Sequence, residues 1–342
     1  MKTLEIRGRT GTSRILVGES VRRLGRYLPA GRTVLVTDPN VRRALPALFS
    51  GFETIEIPAG EASKGLETVS AVYDRLCALE ADRSTFVLGV GGGVVCDIAG
   101  FAASTYLRGL AFGYAPTSLL AQADAAVGGK TGVNFRGFKN LVGVIRQPRF
   151  VLCDPETLET LPSAEVRNGL AEIVKHAAIA DARFFGRLER RAPDLLALRP
   201  AAVAEAVGAS VAIKAAIVSK DEEESGERRK LNFGHTLGHA LEAALGLSHG
   251  EAVGIGMAAS ADISVRRGLL PPAAAERLRT LLRSYGLPAA AVFDKEPVLA
   301  ALARDKKRSG SNIRFAFLRR IGEAVLGDLG LEELRAYVQD LR

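Results

Sequence analysis

Apolar runs of strand length and amphipathic stretches alternate over the first 150 residues. Thr33–Thr37 (TVLVT) is a continuous buried-strand pattern that stops at the turn Asp38-Pro39-Asn40, and Thr54–Ile57 and Thr85–Val90 repeat it. Between them Glu67–Leu79 carries apolar residues at helical spacing, and a second helix, Val94–Tyr106, follows three glycines. Strands separated by helices read as parallel βαβ units, with ligands expected at the strands' carboxyl ends. Val151–Asp154 is the last strand-like run before Pro155 and Pro162, and from Ser163 onward the period turns helical. Helices are expected at Ser163–Ile179, Pro200–Ser219, Glu251–Arg267, Pro272–Tyr285 and Pro297–Asp305. A strand pair, Ile313–Leu318 with Glu323–Leu326, and a helix over Leu331–Leu341 close the chain. The pattern therefore predicts a Rossmann-like α/β domain over 1–155 and a mainly α-helical domain over 156–342.

Polar groups gather at the strand ends. Asp38 follows one strand, where a carboxylate suits ribose hydroxyls. Glu61 and Lys64 sit in a Gly-containing loop after another. Gly91-Gly92-Gly93 opens a helix whose first turn is expected to carry Asp97, and glycines at such a turn let phosphate oxygens approach backbone N–H groups. The dinucleotide fingerprint G-x-G-x-x-G is not met, because Cys96 stands at its last position. Gly128-Gly129-Lys130-Thr131 ends like a P-loop, but the first glycine of that motif would fall on Asp124. Lys130, Lys139 and Asn140 still lie in glycine-rich segments, read as loops, where an anion or plain solvent would face them.

The stretch Arg228–Glu251 holds His235, His239 and His249, three of the chain's four histidines. His235 and His239 share one helical face, and Ser248 with Glu251 forms an S-x-x-E capping box that places His249 in the first turn of the next helix. Such a grouping suits either a metal cage or two amphipathic helices with scattered histidines. Glu172 and Lys175 lie among apolar neighbours, where a carboxylate needs a partner or a metal.

Composition narrows the class. The net charge of +8 would suit nucleic acid, yet aromatics are 6% and no basic block of five appears, so small anionic ligands explain the excess better. Cys77, Cys96 and Cys153 are widely spaced without C-x-x-C, as expected of reduced thiols in the cytoplasm. The most apolar run, Phe86–Ala103, contains Asp97 and five glycines, which argues against a membrane span.

Ten motifs in order then carry a resemblance: GEASK, GGGVVCDIAGFAAS, RG at Arg108, PTSLLAQADAAVGGKTGVN, KNLVG, LETLPSAE, GLAEIVKH, LNFGHTLGHALE, HGEAVGIGM and DKK. Over nearly its whole length the chain resembles the 3-dehydroquinate synthase family of sugar phosphate cyclases. The resemblance implies one divalent metal, zinc or cobalt, on Glu172, His235 and His249, which leaves His239 beside the substrate as a proton-transfer or hydrogen-bonding group and His176 as structural. It implies NAD near Asp38, Glu61, Lys64, Gly91, Gly92, Gly93, Thr117, Ser118, Lys139, Thr157 and Thr160, with Asp97 and Asp124 toward the nicotinamide. Around the substrate it implies Arg108, Lys130, Asn140, Lys175, Lys214, Arg228, Asn232 and one of Lys306 or Lys307. The implied reaction converts 3-deoxy-arabino-heptulosonate 7-phosphate to 3-dehydroquinate and phosphate by transient oxidation, elimination, reduction and aldol closure, in a homodimer that binds neither nucleic acid nor membrane. Ser118 and Cys96 depart from the family's usual Thr and Gly, and His235 and His249 are closer in sequence than usual. The rival readings are a sister cyclase acting on another sugar phosphate and a metal-dependent polyol dehydrogenase.

Overall fold

A computed structural model of the chain describes residues 1–303, 308–309 and 312–340. It divides into two compact units, Met1–Pro162 with Pro200–Glu222, and Ser163–Arg199 with Glu223–Arg342. The single cut expected after residue 155 is thus replaced by three crossings. The cause is the helix Pro200–Lys220, which returns to the first unit. Ala and Val cover most of its circumference, and Val203, Val207, Val211 and Val218 are all buried, so it needs apolar partners on several sides. It is 21 residues long and holds an 18-residue window of mean hydropathy 1.8, long and apolar enough to cross a membrane, yet it carries the buried Lys214.

The strands of the first unit are β1 (Lys2–Gly8), β2 (Gly11–Val17), β3 (Thr33–Thr37), β4 (Glu53–Glu56), β5 (Phe86–Gly91), β6 (Ala111–Pro116), β7 (Lys130–Phe135), β8 (Phe138–Ile145) and β9 (Phe150–Cys153). Seven form one sheet in the order β1-β2-β9-β6-β5-β3-β4, parallel throughout except for the β1–β2 hairpin at its edge. Every residue of β3 and β5 is buried, as expected of central parallel strands covered on both faces. The helix after β5 runs Gly93–Thr105. β7 and β8 make a separate antiparallel hairpin where glycine-rich loops were expected.

The second unit is mainly helical. Its helices include Ser163–Ala180, Ala182–Arg190 and Pro272–Ser284, and His235–Leu245, His249–Arg266, Lys295–Ala303 and Leu331–Asp340 build a core in which Leu237, Leu241, Ile255 and Ile263 meet Phe315 and Phe317 of a small antiparallel sheet. The two histidine-bearing helices approach closely because Gly256 faces the carbonyl of Gly234, and a Cβ there would collide with it. The capping box forms as the sequence predicts, with Ser248 Oγ and the Ser248 N–H both on the Glu251 carboxylate.

Candidate active site

In the first unit the end of β5 turns into a helix with no room to spare. A Cβ on Gly91 would stand 2.5 Å from Val95 Cγ2, so the tight turn requires glycine there. The Gly91 carbonyl accepts from the Thr117 N–H at 2.9 Å, which ties the loop after β6 to this turn. Beyond Gly92 the first N–H groups of the helix have no intrahelical acceptor and form an anion-ready end. Asp97 is the fifth residue of this helix, just past the first turn in which the sequence placed it, because the helix begins at Gly93 rather than Val94.

A polar network extends from Asp97. Its carboxylate pairs with Lys64 at 2.5 Å, and Lys64 Nζ also donates to Asn140 Oδ1 at 2.6 Å. Asn134 Oδ1 accepts from the Asn140 N–H at 2.9 Å, while its amide donates to Glu61 Oε1 at 2.8 Å. The GEASK loop, the helix after β5 and the β7–β8 hairpin are thereby held together. Burial raises the Asp97 pKa, against the opposing pull of Lys64. A second pair joins Lys214 to the Asp124 carboxylate, with Lys214 Nζ also donating to the Asp124 carbonyl at 2.8 Å.

The other expected residues of this unit lie outside that network. Asp38 caps the helix Pro39–Ala44, accepting from the Asn40 and Val41 N–H groups on Oδ1 alone. Ser118 Oγ accepts from Ala121 N, and Thr157 Oγ1 donates to the Asp154 carbonyl at 2.8 Å. Arg108, Lys130, Lys139 and Thr160 are exposed.

In the second unit, Glu172, His235 and His249 meet. Their ligand atoms all lie within 4.8 Å of one another, and Glu172 is fully buried. Glu172 Oε1 is 3.3 Å from His235 Nε2 and 3.1 Å from His249 Nε2. Ligands about 2.0–2.1 Å from a tetrahedral metal sit roughly 3.3 Å from each other, so these spacings suit such an ion. The tautomers agree. His235 Nδ1 faces the Phe233 carbonyl at 3.3 Å, which can only accept, so the proton sits there and the Nε2 lone pair points at a carboxylate oxygen. A neutral imidazole lone pair beside a carboxylate oxygen is a donor arrangement that suits a cation. His249 Nδ1 lies 3.7 Å from Glu242 Oε2, a carboxylate behind an imidazole. His239 stays outside the group, exposed, with its ring edge-on to His235 at a centroid distance of 5.1 Å.

Electrostatics reinforce the grouping. Burial opposes the charge on Glu172, but the Lys175 ammonium and the two imidazoles hold its carboxyl well below the usual range. Burial and then Lys175 push His235 down to about 4, which keeps its ring neutral. Burial also works against charge on His249, yet Glu172 and Glu242 raise it to about 9, so without a metal the ring is a cation paired with those carboxylates and a metal would have to displace its proton.

Comparison with known proteins follows the same order. A profile of the 3-dehydroquinate synthase N-terminal region matches residues 54–168, and one of the C-terminal region matches residues 169–308. The chain belongs to the 3-dehydroquinate synthase family. Among solved structures of this family's fold, a 2-epi-5-epi-valiolone synthase from Streptomyces hygroscopicus subsp. jinggangensis 5008, with NAD+ and Zn2+ bound, is 32% identical with a TM-score of 0.89 over 99% of both chains. A 2-deoxy-scyllo-inosose synthase complexed with carbaglucose-6-phosphate, NAD+ and Co2+ is 26% identical with a TM-score of 0.88 over 100% of both. A probable glycerol dehydrogenase from Sinorhizobium meliloti 1021, at 19% identity and a TM-score of 0.64 over 95% of each chain, shares the fold alone. The chain is accordingly an enzyme of the sugar phosphate cyclase family.

Three residues of this family member escaped the sequence reading. Glu224 accepts from the Asn232 amide and holds a left-handed backbone at φ +61, unusual for a glutamate. Its carbonyl accepts from Arg229 Nε at 3.0 Å. The only hint in the sequence is its place in an acidic run, Asp221–Glu224, which reads as solvated surface. Asn134 and Glu242 act through other side chains, and nothing in their spacing reveals it. Arg228 is buried at 3% exposure, whereas Lys306 lies outside the described residues.

Proposed function

We propose that this family member is a 3-dehydroquinate synthase, converting 3-deoxy-arabino-heptulosonate 7-phosphate to 3-dehydroquinate and phosphate in the cytoplasm. The observation that carries the reading is the Glu172–His235–His249 group, a one-carboxylate, two-imidazole donor set suited to a catalytic zinc or cobalt ion. The Gly91 turn and the Glu61–Lys64–Asp97 network are the groups assigned to NAD. When bound, NAD would supply the transient removal and return of a hydride, and the metal a positive charge beside the oxygen being oxidised.

The chain's own residues do the rest. Lys130, Lys175, Lys214 and Arg228, with the exposed Arg108, are assigned to the carboxylate and phosphate of the substrate, orienting it and offsetting the leaving charge. Asn232 has its amide nitrogen turned to Glu224, so its Oδ1 is left to accept from a substrate hydroxyl. His239, exposed and outside the metal group, is the residue assigned to proton transfer. Oxidation beside the acidic C–H and later reduction by the same cofactor leave no net redox change.

A sister cyclase is the second reading, favoured by the 32% identity to the valiolone synthase. The deciding assay is phosphate release from 3-deoxy-arabino-heptulosonate 7-phosphate with substoichiometric NAD and added zinc, while NADH absorbance is followed. Many phosphates per NAD, no accumulating NADH and loss of activity on chelation are expected. No release from the loaded protein overturns the assignment and turns attention to other sugar phosphates. Stoichiometric NADH would instead mark a dehydrogenase.

A further inference from the structure

Glu222 is the last residue of the first unit, and the chain passes directly from it into Glu223–Asn232, which bears Glu224, Arg228 and Asn232. A glutamate in an acidic surface run should be solvated, yet this one is 8% exposed. Donors from two separate elements converge on it. The Arg9 N–H donates to Oε2 at 2.6 Å, and the Thr10 N–H to the same oxygen at 3.3 Å. On Oε1, Thr10 Oγ1 donates at 2.6 Å and Gln147 Nε2 at 2.8 Å. The turn of the β1–β2 hairpin wraps the carboxylate closely enough that a Cβ on Gly8 would overlap it.

We infer that Glu222 is a positioning residue that fixes the take-off of the segment carrying Arg228 and Asn232, by tying the residue immediately before that segment to the Arg9–Thr10 turn and Gln147. The sheet-edge hairpin then has a function beyond closing the sheet. When the carboxylate goes, these donors lose one shared buried acceptor that water cannot replace without movement, so the hold on residue 222 is lost as a unit. The inference rests on the proposed substrate role of Arg228 and Asn232, and its test separates the two.

The test is Glu222→Ala in the full-length, metal-loaded protein, read by steady-state kinetics and by amide hydrogen exchange. The expected result is a KM for the sugar phosphate raised about tenfold or more, with metal content and the KM for NAD unchanged. Exchange should quicken at Arg9, Thr10 and residues 223–232. Gly8→Ala, which crowds the carboxylate from the hairpin side, should move the same quantities in the same direction, and Thr10→Val should do so more weakly. These two variants decide the matter if Glu222→Ala does not fold. An unchanged sugar-phosphate KM with a lowered melting temperature would reduce Glu222 to a structural clamp and overturn the inference. Parallel loss of metal and NAD binding would overturn it as well. If the native enzyme turns over no sugar phosphate, the functional proposal fails, and unchanged exchange at residues 223–232 in the variants then refutes the anchor by itself.

Discussion

At Glu172 the two carboxylate oxygens have different duties. Oε1 faces the imidazoles of His235 and His249, and Oε2 meets the Lys175 ammonium, itself 2% exposed. Glu172→Gln keeps the volume and removes the charge, leaving a buried ammonium beside a neutral amide. Breaking a buried pair in this way costs about 3–5 kcal/mol. The variant is therefore expected to fold with a lowered melting temperature and to lose metal at least about tenfold on dialysis, as measured by elemental analysis. Full metal content would remove Glu172 from the ligand set. His239→Ala makes the opposite demand. Because its exposed ring stands outside the group, metal content should persist while turnover falls by about 10²–10⁴. Metal loss in that variant would restore the His235–His239 pair as ligands. Glu222 supplies a pH dependence. Burial opposes its charge, but hydrogen bonds from Gln147, Thr10 and Arg9 lower its pKa below the ordinary 4.5. A carboxyl depressed on folding contributes stability that is fully present above that ordinary value and disappears as pH falls through the folded one. Melting temperatures of the native protein should accordingly drop below about pH 4.5 more steeply than those of Glu222→Gln.

The strand-to-helix turn after β5 is the element on which dinucleotide binding is proposed to depend. Gly91→Ala would place its methyl 2.5 Å from Val95 Cγ2, forcing the turn or the first helical residues to move. NAD affinity, followed by fluorescence titration, should weaken by about tenfold or more while the metal remains. Wild-type affinity would separate this turn from the cofactor. Elements with strong periodicity were readable from the sequence to within a residue or two. Thr33–Thr37 matches its strand, and Ser163–Ala180 extends the expected helix by one residue. The capping box was equally plain, because Ser248 and Glu251 state it locally. What escaped depends on partners far away in sequence. The β7–β8 hairpin pairs Gly132 with Gly143, so neither strand shows a side-chain alternation at its centre. In β6 the side-chain pattern is broken by Gly113, which lies against Phe86 and Phe150 and has no signal of its own. Asp38 was legible as a residue at a strand end but not as a cap, since Asp-Pro-Asn spells a turn and a helix start alike.

For the molecule as a whole, the ligand sets divide along with the chain. The Gly91 turn, Glu61, Lys64 and Asp97 belong to the first unit, and Glu172, His235 and His249 to the second. Lys214 belongs to the first unit despite its position in the sequence, because the helix Pro200–Lys220 carries it back to Asp124. Each set is held internally, by Lys64 and Asn134 in one and by Phe233, Glu242 and Lys175 in the other. Supporting contacts of this kind build no dependence on the other set's ligand into either proposed set. Chelated protein should therefore bind NAD within about threefold of the metal-loaded enzyme while turnover vanishes, and zinc alone should restore it. Reciprocity makes this a double test. If metal leaves NAD affinity unchanged, NAD must leave metal affinity unchanged, and a metal competition titration with and without NAD measures that second arm. A coupling well beyond threefold in both arms would show that the two sets complete each other. In that case the redox-neutral chemistry would begin with an ordered assembly rather than with two independently loaded halves.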